Sequence, residues 1–457
     1  MYTFISYLDG LITPFLLGAI YVLAKRTEDA NIAANPVYRY YTKGLFIKLF
    51  SGIVICLIYV YYYGGGDTTA YYRGGVAMAN LFMKDPMLYF DVLFGDVGQG
   101  SWFYYDMSTG WPPHFMFKDE KTYFVIQLVS VFLILTFKTF IPATILIAWL
   151  SYTGIWRMYL LFCEQFPHLT KHLATAILFM PSVVFWGSGM LKDAFTFSCV
   201  CWFVYAIYYF AIKKEKLVFH LFCLVVSSYL LITIKPYIFI SLMPGSLLWV
   251  SFERIAAIKN VFIKIFVFPV VLSIAVGVIA LIMSQVSGEL GTYSSFDKVI
   301  EKATVNQEDL TRAEAYGDNF FDIGGIDPTP MGLLKKAPVA ISATLFRPYM
   351  WEVRNPVMLL SALENTFIVF FCMWLLLRIN IITILRRIVS NPLVLFSIMF
   401  SIFFAFAVGI STPNFGALVR YKIPAIPFFL SSLFILYYHN DNQGKSEPRA
   451  KKVAITR

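Results

Sequence analysis

Apolar residues run through this chain in blocks close to the length of a membrane-spanning helix, separated by short polar or basic connections. A bilayer core takes about 20 residues of helix. On that measure the pattern predicts membrane-embedded helices over Phe4–Ala24, Leu45–Tyr63, Tyr123–Phe137, Ala143–Phe162, Leu173–Trp186, Ala194–Ile212, Leu217–Ile234, Tyr237–Val250, Val261–Met283, Val357–Leu377, Pro392–Ile410 and Ile423–Tyr438. Two longer polar stretches, Gly64–Thr122 and Ser284–Pro356, interrupt the series. The expected fold is all-α, a polytopic integral membrane protein of about 11–13 membrane helices. Residues 1–438 form one multi-spanning domain, and residues 439–457 a basic, disordered tail.

Composition excludes a soluble alternative. Of 457 residues, 59% are hydrophobic and only 14% charged, against about 25% charged in soluble domains. The net charge of +10 does not point to nucleic acid, because the basic residues sit in short clusters between apolar blocks and in the tail. The six cysteines lie in or beside apolar blocks without metal-ligand spacing. The N-terminus lacks a basic leader and carries Asp9 inside its first apolar block, so it reads as a retained span.

Lysine and arginine in short connections set an orientation. Lys25, Arg26, Arg39 and Lys43, then Lys213, Lys214 and Lys216, then Arg254 and Lys259, then Arg378, Arg386 and Arg387, and finally the tail, all mark the inner side. Both long polar stretches then fall outside, as extracytoplasmic loops with short interfacial helices. An odd number of crossings must separate Gly64–Thr122 from Lys213, yet four apolar blocks lie between them. Either Tyr123–Phe162 holds one crossing plus an interfacial or re-entrant piece, or the first loop hides a membrane-dipping helix.

Charged residues at span ends are costly to bury and are candidates for function. On this orientation Asp67, Arg73, Lys192, Asp193, Lys235, Arg347, Glu352, Arg354 and Arg420 share the outer face. Gly64-Gly65-Gly66-Asp67 permits a sharp turn that leaves Asp67 at the membrane surface, able to act as a general base or to bind a metal; a helix N-cap is the alternative. Gly187-Ser188-Gly189 followed by Lys192-Asp193 opens a span, and helix-start N–H groups with an adjacent lysine suit a phosphate. The plainer reading is a snorkelling lysine and a capping aspartate. Lys235 breaks two spans, as a tight turn or a second phosphate contact. Arg347 and Arg354, interleaved with Tyr349 and Trp351, fit a headgroup or sugar site as well as an ordinary aromatic belt. Arg420 is expected at a helix start, where a lone cation opposes the dipole unless an anion compensates. His168 and His172 are four apart but fall on the inner side, and they read as interfacial residues. No GxGxxG or Walker loop is present, which argues against a cytosolic nucleotide site.

Gly66-Asp67-x-x-x-Tyr71, Phe185-Trp186-Gly187-Ser188-Gly189-x-x-Lys192-Asp193 and Arg420-Tyr421-x-x-Pro424, in this order, resemble the multi-spanning GT-C-type glycosyltransferases and the related polysaccharide polymerases of the O-antigen-polymerase (Wzy/EpsG) type. The resemblance implies a GT-C-like fold and an enzyme of the bacterial inner membrane. Its reaction would move sugar from a polyprenyl-phosphate or polyprenyl-diphosphate carrier to a glycan or protein acceptor on the outer side. Asp67 would match the family's first-loop acid, the base. Lys192 and Arg420 would match its cationic contacts to the carrier phosphate. Tyr71, Arg73, Asp193, Lys235, Arg347, Arg354 and Tyr421 complete the candidate substrate-binding set. The acid follows the second span, as in the EpsG-type polymerases, and a paired acidic motif is absent. No cofactor is required, with a divalent metal as an option.

A polymerase or ligase acting on lipid-linked repeats is one alternative. A transporter or flippase of lipid-linked sugars is another, and its mark would be midplane ionic residues with paired broken helices. Asp9, Lys138, Arg157, Lys264 and Glu364 are the mid-block ionic residues that bear on it.

Overall fold

A computed structural model describes residues 4–95, 99–256 and 329–438, with single positions 270, 273, 277, 301, 304, 305, 320, 321 and 324 between the last two. Apart from those single positions, the predicted span Val261–Met283, the part of Ser284–Pro356 before Thr329, and the tail from His439 lie outside the described residues.

The described chain is helical, with a single isolated β-bridge, Phe320 to Asn414. Among the described residues seven helices are long and apolar enough to cross a membrane, or eight if one bent pair counts as a span. The protein is therefore a polytopic helical membrane protein, and its large exposed hydrophobic side chains, such as Phe15, Phe50, Phe222 and Phe370, face where lipid would lie.

Helix α1 (Tyr7–Ile32) is followed by α2 (Tyr41–Leu57), extended by a π-turn to Tyr62, which returns alongside it. Then follow α3 (Asp67–Lys84), α4 (Pro86–Phe94), α5 (Glu120–Leu135) and α6 (Phe140–Gln165). Asp9 of α1 fixes the start of α6 from outside it: its carboxylate accepts the N–H of Ile141 at 2.8 Å, an N-cap contributed by another helix.

Helix α5 is not the span expected over Tyr123–Phe137. Near its start Phe124 packs on Tyr229, close to the end of α10 (Leu217–Ile234), and near its finish Phe132 packs on Phe195 in the opening turns of α9 (Lys192–Ile207). Both neighbours belong to the same end of the bundle, so α5 lies across that end, packed on α3. Gly74 and Gly75 let it approach, since a Cβ at either would stand 2.6 Å from Ile126 or Leu133. Of the two helices in this stretch, only α6 is long and apolar enough to cross a membrane.

The expected span Leu173–Trp186 is broken. Helix α7 (Thr170–Leu178) stops before Pro181, and α8 (Pro181–Trp186) is followed by a tight turn through residues 187–191. Proline cannot continue a helix interior, and it instead opens α8 at its first position. The three pieces together make one passage, from the end where Lys213 pairs with Glu164 at 2.5 Å to the end that holds Lys192. Helices α6 and α9 run parallel. Gly154 permits their contact, because a Cβ there would stand 2.4 Å from the Ser198 carbonyl oxygen.

Helix α11 (Pro236–Ala256) descends again. Later come α12 (Pro330–Phe346), α13 (Pro356–Arg378), α14 (Ile381–Ser390) and α15 (Pro392–Ser411). Helices α13 and α15 start alike: Asn355 and Asn391 accept the N–H groups of Met358 and Val394, each with proline next. The final span is bent by 63° between α16 (Phe415–Tyr421) and α17 (Ala425–Tyr437).

Candidate functional site

Tyr63 ends the rising α2, and Gly64, Gly65 and Gly66 turn the chain with φ of 68°, 146° and 129°. Glycine is required at Gly66, where φ is positive and a Cβ would stand 2.9 Å from the Tyr59 ring. The N-cap of α3 is Gly66, and Asp67 is the first helical residue. The capping alternative for Asp67 is thereby overturned: its carboxylate accepts from Arg420 Nη1 at 2.5 Å.

Arg420 joins two acids. Its Nε donates to Asp193 Oδ2 at 2.5 Å, and Lys235 Nζ donates to Asp193 Oδ1, also at 2.5 Å. Asp193 is 1% exposed, Lys235 7% and Arg420 8%, so three formal charges share a buried site. The Asp67 side chain is 51% exposed. Lys235 Nζ also sits 4.4 Å from the centre of the Tyr421 ring, a cation–π contact strengthened by desolvation. Tyr59, Tyr71 and Tyr237 lie near enough to couple electrostatically to these charges. Burial pushes the Tyr71 hydroxyl well above its usual range and keeps it neutral.

Helix dipoles reinforce the arrangement. Asp67 and Asp193 stand in the first turns of α3 and α9, whereas Lys235 caps the C-terminus of α10 and Arg420 occupies the last turn of α16. Acids at N-termini and cations at C-termini are the favourable placements. The expectation that Arg420 opens a helix is corrected, because the bend after Tyr421 makes Arg420 the end of one. Asp193 is likewise no cap; Leu191 holds that position.

Lys192 points to a different partner. It donates to Thr122 Oγ1 at 2.7 Å and to Asp119 Oδ2 at 3.3 Å, and it remains within electrostatic reach of Lys235 and Asp67. Burial pushes the Asp119 carboxyl up, but the Lys192 charge and the hydrogen bond from Thr122 outweigh it and hold the group below the usual carboxylate range.

Asp67, Tyr71, Lys192, Asp193, Lys235, Arg420 and Tyr421 thus gather in one place, and three other candidates do not. Arg73 is exposed, over the Phe4 ring at 5.3 Å. Arg347 donates from Nε to Glu352 at 2.9 Å and lies over Phe321 at 4.5 Å and Phe415 at 5.5 Å. Arg354 is exposed and makes no ion pair among the described residues.

The chain matches no family model, no curated protein and no solved structure.

Several polar residues went unrecognised in the sequence. Lys48, 3% exposed in the middle of α2, donates to the Gly187 carbonyl at the end of α8. Lys422, 1% exposed, donates to Asn365 Oδ1 at 2.6 Å and to the Arg347 carbonyl at 2.9 Å. Glu364, noted only as a mid-block ion, accepts the Ser182 N–H at 2.5 Å, at the start of α8. A lysine inside an apolar block is itself a signal, and it could have found Lys48. Asp119 and Thr122 carried none, being ordinary loop residues until the fold brought Lys192 to them. Among the described residues no group of three or more His, Cys, Asp or Glu could hold a metal ion.

Chemically, the site offers one half-exposed carboxylate beside a guanidinium whose position is held by a buried acid. A substrate anion could be held by the fixed cations, and a proton could be taken by Asp67.

Proposed function

We propose that the protein is a membrane glycosyltransferase that moves sugar from a polyprenyl-phosphate or polyprenyl-diphosphate carrier to an acceptor hydroxyl at the extracytoplasmic face. The observation that carries this reading is the meeting of a half-exposed Asp67 with Arg420, itself held by buried Asp193, at one end of a membrane bundle. In the reaction the acceptor oxygen forms a bond to the anomeric carbon, and its proton passes to Asp67. The bond between that carbon and the carrier phosphate oxygen breaks, and the electron pair leaves with the phosphate. Arg420, Lys235 and Lys192 offset the charge that develops there, in a partly dry site where fixed charges act strongly. The GT-C-like architecture, an outward-facing site, a bacterial inner-membrane location and a polymerase or ligase variant of the same chemistry belong to this proposal.

In cells whose surface glycan depends on this chain, Asp67→Asn and Lys192→Ala proteins, matched in expression and folding, are expected to lose glycan output and to accumulate unused lipid-linked donor. Full output from either would sink the reading.

A second reading, a transporter or flippase of lipid-linked sugars, is favoured by Lys48, Glu364 and Lys422 buried within or beside spans and by the two broken passages at α7–α8 and α16–α17. The leaflet in which donor accumulates separates the two. Donor on the outer leaflet belongs to a lost transferase, and donor on the inner leaflet to a lost flippase.

A further inference from the structure

Within the buried part of the site, one carboxylate, Asp193, faces two cations, Lys235 and Arg420. That core carries one uncompensated positive charge. Asp67 supplies the missing negative charge, through a single contact from Arg420 Nη1. The two acids differ in solvent access: the Asp193 side chain is 1% exposed and the Asp67 side chain 51%. An isolated charge at a site this dry is costly, so the partner that gives way to another anion must be the exposed one.

We propose that Asp67 is a stand-in anion, a latch on Arg420 that an incoming phosphate displaces. Asp193 keeps Arg420 Nε and Lys235 Nζ in place throughout, so the cations need not move. The phosphate takes the Nη1 donor and neutralises the core. The Asp67 carboxylate, released from the guanidinium, is free to accept the acceptor proton only when the carrier phosphate is seated. This inference rests on the transferase reading and adds order to it: anion first, proton abstraction second. No base is freed in the empty site, and the core is never left uncompensated.

The test is a binding titration of the purified full-length protein in detergent, with farnesyl phosphate as probe and inorganic phosphate in parallel. An ion pair between the exposed and buried extremes is worth roughly a three- to tenfold change in affinity. Asp67→Asn is therefore expected to bind farnesyl phosphate tighter than wild type by that factor. Tighter binding could also come from removing any nearby acid, and Arg420→Lys separates the two causes. Lysine keeps the charge but lacks the forked donors that serve both acids, so in an Arg420→Lys background Asp67→Asn is expected to change affinity less than twofold. An equal gain in both backgrounds, or no gain in wild type, overturns the latch while leaving the transferase reading standing. No binding by either wild type or Asp67→Asn, with both proteins folded, overturns the latch and the lipid-phosphate reading together. A gain for inorganic phosphate as large as for farnesyl phosphate keeps the latch and removes the lipid chain from it.

Discussion

Replacing Asp193 with asparagine keeps the shape of the side chain and removes the one charge that Lys235 and Arg420 share. Breaking a buried ion pair from one side costs ~3–5 kcal/mol, because the remaining charge is left without a counter-ion in a dry site. Here Arg420 retains Asp67, whereas Lys235 loses its counter-ion and keeps neutral neighbours, among them the Tyr421 ring. The loss should therefore come mainly from Lys235. With 457 residues and an unfolding entropy of about 2 cal/mol/K per residue, the midpoint should fall by roughly 3–5 °C. Intrinsic-fluorescence melting of detergent-purified protein measures this directly. Asp193→Asn combined with Lys235→Met removes the stranded cation and leaves the balanced pair Arg420–Asp67. The double variant should then melt above Asp193→Asn alone, the non-additivity expected of groups in contact. The reasoning is refuted if Asp193→Asn melts within 1 °C of wild type, or if the double variant loses the sum of the two single losses.

Three further outcomes are expected. Asp119 has a depressed carboxyl in the fold, so its contribution to stability is present above its unfolded value, about 3.9, and is lost as pH falls through the lower folded value. The difference in midpoint between wild type and Asp119→Asn should stay constant from pH 8 to about pH 5 and shrink only below about pH 4; shrinkage already at pH 6 would rule out this assignment. Gly154→Ala drives a methyl group against the Ser198 carbonyl and should cost ~1–3 kcal/mol by forcing α6 and α9 apart, a loss that an unchanged melting midpoint contradicts. Cysteines placed singly at positions 67 and 213, in a protein freed of its six native cysteines, should react oppositely with an impermeant maleimide on intact cells, 67 labelled and 213 protected. Labelling of both, or of neither, is incompatible with their lying at opposite ends of the bundle.

Hydropathy alone located most of the helices, because a lipid-facing helix must be apolar along its whole length whatever it packs against. The runs that became α1, α2, α6, α9, α10, α13 and α15 satisfy that condition locally, and each, with the turns that continue α2 to Tyr62 and α9 to Lys213, is a helix long enough to cross a membrane. The acids and cations at span ends were legible for the same reason: a charge beside an apolar run stands out. What local pattern could not supply was direction and partnership. The stretch that became α5 is as apolar as a span, yet its 16 residues lie across one end, because α3 offers Gly74 and Gly75 to pack against. Pro181 and the Gly187-Ser188-Gly189 turn marked a break, but only the fold shows Lys48 crossing from α2 to meet the carbonyl it leaves free. The ion cluster is the sharpest case. Its links span 42, 227 and 353 residues of chain, and no periodicity reaches that far. Tertiary packing decided that Asp193 is buried while Asp67 stays half exposed, a difference set by which helix ends close over each carboxylate.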